Sequence, residues 1–147
     1  MFKPGNILYI NNFKFENITR NKYLVVLCNL DGTAIIASFT TSQQYVNETD
    51  VKNGIIKTAN KYCYCFLKDT PVGTNGFSFP KTTFVLLFQN IRKLPIDKLL
   101  ENYKIEIVCS LNKARFIDIL YCIYTSEHSS KMVKQEIDKL LIELTSE

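Results

Sequence analysis

Short alternating stretches fill the first two thirds of the chain, and the apolar period lengthens to that of a helix only after residue 109. Residues 6–11 alternate, with Ile7 and Tyr9 on one face and Leu8 and Ile10 on the other, which predicts a strand. Residues 12–22 are polar and read as a loop holding Arg20 and Lys22. Residues 23–29 form the next strand, and the unbroken run Leu24-Val25-Val26-Leu27-Cys28 predicts burial on both faces. Asp31-Gly32 is a tight-turn signal, so this strand pairs as a hairpin with residues 33–39. Three hydroxyls, Thr40, Thr41 and Ser42, stand at that strand's end.

Residues 43–59 are weakly patterned and read as a loop with a short strand at Gly54-Ile55-Ile56. Residues 60–67 alternate cleanly, 68–80 form a glycine-containing loop, and 82–88 are β-branched and aromatic enough for a central strand, continued by 91–94. Residues 96–103 predict a short helix and 104–109 a last strand. Ser110 then suits an N-cap, with Leu111, Phe116, Ile119, Leu120 and Ile123 on one helical face. A second helix spans 130–143. Strands first and helices afterwards predict one α+β domain over 1–147: a β core to residue 109, formed as a small barrel or strongly bent sheet, with the helices of 110–147 packed on it.

A chain of 147 residues can bury a core unaided, and 46% hydrophobic with 22% charged residues excludes a disordered protein. The net charge of +4 permits a nucleic-acid partner without arguing for one. The opening Met-Phe-Lys-Pro lacks the apolar run of a secretory signal, and no stretch is long enough to span a bilayer. Five cysteines among apolar neighbours fit a reduced, cytoplasmic protein. Cys63-Tyr64-Cys65 puts two thiols on one strand face, but the single His128 and the lack of a second cysteine pair leave no zinc site. The same scarcity excludes a Cys–His nucleophile, so neither metal nor cofactor is expected.

The remaining chemistry is cationic and hydroxylic, which suits phosphate. Gly5-Asn6-Ile7, Lys22-Tyr23-Leu24-Val25, Thr40-Thr41-Ser42, Lys81-Thr82-Thr83-Phe84-Val85, Gln89-Asn90-Ile91-Arg92 and Ile96-Asp97-Lys98-Leu99 follow one another over residues 4–125. In this order they resemble the PemK/MazF-like toxins, whose chains run through G-[DE]-[IV], R-P-[VA], a Thr-Ser strand end, K-x-S-x-V, Q-[IV]-R and I-D-x-x-x-L. The chain departs from that pattern at Asn6, at Lys22-Tyr23 where the family has Arg-Pro, at the extra Asn90, and in the helix beyond residue 130.

The resemblance implies an SH3-like barrel and a metal-independent endoribonuclease acting on single-stranded RNA in the cytoplasm, with an antitoxin partner and a homodimeric state. It places Arg20 or Lys22 at the cation that stabilises the phosphorane, and Thr40 or Thr41 at the hydroxyl that holds the scissile phosphate. Lys14, Phe15, Ser42, Lys81 and Arg92 are the candidate RNA contacts. The alternative, drawn from the loss of the Arg-Pro pair, is a catalytically degenerate barrel that binds RNA or protein. Each candidate also has a plain structural role: loop cations are ordinarily solvated, and strand-end threonines ordinarily bond to nearby backbone.

Overall fold

A computed structural model describes residues 1–15, 17–86 and 90–146, with the side chain of Phe15 left out. Among these residues the order is β1 (Asn6–Phe15), β2 (Ile18–Leu30), β3 (Ala34–Thr41), β4 (Gly54–Lys57), β5 (Tyr62–Phe66), β6 (Thr83–Leu86), β7 (Ile91–Pro95), α1 (Ile96–Asn102), β8 (Ile105–Ser110), α2 (Lys113–Thr125) and α3 (Lys131–Thr145). The protein is α+β. Its strands form one antiparallel sheet in the order β4-β5-β6-β3-β2-β1-β8, with β7 also on β3. The end strands β4 and β8 do not pair with each other among the described residues, so the sheet stays open.

The apolar run of β2 is buried on both faces, as its composition requires. Ile7, Val25, Leu27 and Ile36 face α2 and α3 through Phe116, Ile119, Ile123, Val133 and Ile137. Leu8, Ile10, Leu24, Val26, Ile35 and Ala37 face the other way, onto Leu99 of α1. A third cluster, with Ile56, Cys63, Cys65 and Phe84, sits behind the β4–β6 part of the sheet. Cys63 and Cys65 do share a face. The β2–β3 hairpin turns at Asp31 and Gly32, both at positive φ, the geometry that favours this dipeptide.

Two expectations need correction. Arg20 and Lys22 do not lie in a loop but on β2, which runs to Ile18 and pairs with β1 out to Phe15↔Ile18. This arm extends past the core and its β2 residues Ile18–Asn21 are exposed, so it lacks the one-sided apolar alternation that marks a strand. A bulge between Ile10 and Phe13, with Asn12 at φ 53° and its N–H donating to Asn21 Oδ1 at 2.9 Å, re-aims the arm.

The N-cap of α2 is Asn112, not Ser110: its side-chain oxygen accepts from the Ala114 N–H at 2.9 Å. The backbone is still committed in extended form at Leu111, whose N–H donates to Gly5 O at 2.8 Å, so the helix starts two residues late. Ser110 instead donates its hydroxyl to Asn6 Oδ1 at 2.6 Å. Ser130 caps α3 through the Val133 N–H at 3.2 Å. Among the described residues no helix is long and apolar enough to cross a membrane.

Candidate functional site

The β2–β3 ladder ends at Leu24↔Phe39. Beyond it β2 stays with β1, through Ile10↔Lys22 and Phe13↔Arg20, while β3 goes on with β6 through Thr40↔Val85 and Thr41↔Phe84. The strands fork, and a groove of about 310 Å³ opens between them. Arg20, Asn21, Lys22 and Tyr23 line one bank; Thr40, Thr41, Ser42 and Gln43 line the other; Tyr9, Phe79, Pro80, Lys81 and Thr83 complete it. Arg20, Lys22, Thr40, Thr41, Ser42 and Lys81, all marked in the sequence, therefore meet in one place.

The hydroxyls are not equivalent. Thr40 is buried and its Oγ1 donates to Tyr23 O at 3.2 Å, stitching the fork where the ladder stops. Thr41 is half-buried and its Oγ1 accepts from the Gln43 N–H at 3.2 Å, a turn contact that leaves the hydroxyl proton for another acceptor. Ser42 is exposed. Thr41 and Ser42 are thus the hydroxyls with donor capacity toward a ligand.

Among the described residues no carboxylate lines the groove, and Arg20, Lys22 and Lys81 form no ion pair. Lys22 is half-buried; burial first, then the Arg20 charge, holds its ammonium below the usual lysine value. Uncompensated positive charge of this kind is relieved by an anion. The Tyr9 and Tyr23 rings meet at a tilt of 55° with centroids 4.7 Å apart, and Phe79 meets Tyr23 edge-on at 5.2 Å, so the groove also has an aromatic wall. Burial, then Tyr9, pushes the Tyr23 phenol up, keeping it a neutral donor.

Other marked residues lie elsewhere. Lys14 is exposed on the arm, opposite Thr19, and does not line the groove. The Phe15 side chain and Gln89 lie outside the described residues. Arg92 is on β7, lining a small hollow of about 50 Å³ with Phe13, Lys22, Phe39 and Asn90; it adjoins the groove only through Lys22. Sequence reasoning missed Tyr9 and Tyr23 as a pair, although the β1–β2 register sets them opposite each other.

The cysteines are all buried, with burial pushing the thiols of Cys28 and Cys63 up to about 12 and those of Cys65 and Cys109 up to about 11. Among the described residues no cluster of three or more His, Cys, Asp or Glu side chains is placed to hold a metal. Comparison with protein-family models, with curated proteins and with solved structures finds no match.

Proposed function

We propose that the forked groove binds single-stranded RNA through its phosphates and cleaves it without a metal, as a PemK/MazF-like toxin would. The observation that carries this reading is the convergence, in one open groove, of two donor hydroxyls and three cations that have no carboxylate partner among the described residues. Arg20 presents a planar fork to two phosphate oxygens, Lys22 adds a point charge, and Thr41 and Ser42 donate to the remaining oxygens. In the reaction the 2′-hydroxyl oxygen attacks the neighbouring phosphorus. Its proton passes to solvent water and the 5′-oxygen leaves with a proton taken back from water, while the cations stabilise the phosphorane. The open sheet serves in this reading as the SH3-like scaffold, and a homodimer, an antitoxin partner and a cytoplasmic setting belong to the same proposal.

The test is incubation of the purified protein with RNAs of varied sequence in excess chelator, beside Arg20→Ala. Cleavage by the wild type and its loss in the variant are expected; absence of cleavage by the wild type across the set sinks the activity. One observation favours the second reading, an RNA-binding module: among the described residues no Asp, Glu or His lines the groove to accept the 2′-hydroxyl proton. That reading predicts binding without cleavage and harmless overexpression, where the nuclease predicts growth arrest.

A further inference from the structure

The groove does not end at Ser42 and Lys81. These two residues also line a neighbouring depression with Gln44. Gln44 in turn lines a third depression together with Tyr45, Asn60 and Lys61. Tyr45, Asn60 and Lys61 then line a pocket of about 320 Å³ between the β4–β5 connection and the α2–α3 turn, where Lys57 and His128 join them. Shared walls link the four hollows in a row from the end of β3, past Phe84 of β6 and residues 44–50, to the β4–β5 connection. Three strand spacings of ~4.8 Å put its two ends roughly 15 Å apart.

The far pocket has its own cations, and they are held in place. Lys61 Nζ sits 4.5 Å from the Tyr45 ring centroid and Lys57 Nζ 5.3 Å from that of Tyr62. A tight turn fixes the lysines relative to each other: the Thr58 N–H donates to Lys61 O at 2.8 Å and the Lys61 N–H to Thr58 Oγ1 at 3.1 Å. Among the described residues neither lysine is ion-paired. A ring face attracts an ammonium without neutralising it, so both keep their charge for an anion. The acidic residues along the track are Glu48, Asp50 and Glu127, one on each of the three outer hollows, and none is bonded to Lys57 or Lys61.

We propose that the Lys57–Lys61 pocket is a second phosphate station for the same RNA strand, reached along this track, so that the protein engages a run of nucleotides instead of one scissile step. The inference rests on the RNA reading of the groove. Small β folds that bind single strands occupy roughly 4–16 nucleotides, and a track of this length falls at the short end.

The experiment compares a trinucleotide with a strand of about ten nucleotides, both 2′-O-methylated to block cleavage, by fluorescence anisotropy over a salt series. The wild type should prefer the longer strand by roughly tenfold, and Lys57→Gln/Lys61→Gln should erase most of that preference and flatten the salt slope by about 1.4. Arg20→Ala/Lys22→Ala should weaken both lengths together. Arg20, Lys57 and Lys61 are exposed and Lys22 is half-buried, and unchanged circular dichroism melts confirm that loss of binding is not loss of fold. A length preference that survives in Lys57→Gln/Lys61→Gln overturns the second station while leaving the groove reading intact. A wild type that binds neither strand overturns both.

Discussion

Ser38 and Thr40 stand two residues apart on one face of β3, and substituting each tests how the fork is held. Ser38 is 0% exposed, and its Oγ has no hydrogen-bond partner among the described residues. Thr40 is 5% exposed and donates to Tyr23 O at 3.2 Å. Burying a hydroxyl without a partner opposes folding by about 1–3 kcal/mol, whereas a satisfied one contributes a net ~1 kcal/mol. Ser38→Ala removes the unmet group and leaves a void of one oxygen atom, so stability should rise by about 0.5–1 kcal/mol. Thr40→Val keeps the shape, loses the bond and strands the Tyr23 carbonyl, a loss of about 1–2 kcal/mol. In a chain of this size each kcal/mol moves Tm by about 2–4 °C. Calorimetric melts should therefore place Ser38→Ala roughly 1–4 °C above wild type and Thr40→Val roughly 2–8 °C below it. If Ser38→Ala falls as far as Thr40→Val, Ser38 is paired in solution and the reasoning fails.

Gly73 forms a bridge to Leu111, and a Cβ added there would lie 2.0 Å from the Ser110 carbonyl oxygen. Gly73→Ala should cost about 2 kcal/mol or more and loosen the loop that carries Phe79 and Lys81, seen as a lower Tm together with weaker RNA binding. Because burial and Arg20 lower the Lys22 pKa, its charge is lost as pH rises through a value below 10.5. Affinity for a 2′-O-methylated strand should fall over that window, and Lys22→Arg should hold it to higher pH; identical profiles would remove Lys22 from the phosphate contacts. The five thiols should resist iodoacetamide at pH 8 in the native protein and all react in denaturant, counted by mass spectrometry. Rapid native labelling of any of them would contradict the burial described.

What could be read in the chain was local. The Asp31-Gly32 hairpin, the buried run 24–28 and the helical stripes of α2 and α3 carry their own signals, because turn chemistry and periodicity act over a few residues. The β1–β2 arm was illegible because solvent covers its β2 residues 18–21, and polarity without alternation reads as loop. An open sheet cannot be told from a closed barrel in the sequence, since closure depends on whether β4 meets β8 across half the chain. At the site, the order of cations and hydroxyls was visible. That they converge was not, because convergence follows from where the β2–β3 ladder stops. The Lys57–Lys61 pocket was hidden for the same reason: its walls come from a β connection and a helical turn more than sixty residues apart.

The antiparallel partner of β1 on its outer side is β8, from Asn6↔Ser110 to Ile10↔Ile105. During translation the first three strands leave the ribosome long before residues 105–110 exist. At roughly 5–20 residues per second, several seconds separate the two events. Over that interval β1 presents an unpaired row of N–H and C=O groups beside Ile7, Leu8 and Ile10, a template on which other nascent chains can add. The forked groove, whose lining stops at Thr83, is synthesised in full before that edge is sealed. Its biosynthesis thus places the walls of the groove ahead of the protection of the scaffold, and makes β8 the strand that seals the exposed edge of the newborn chain.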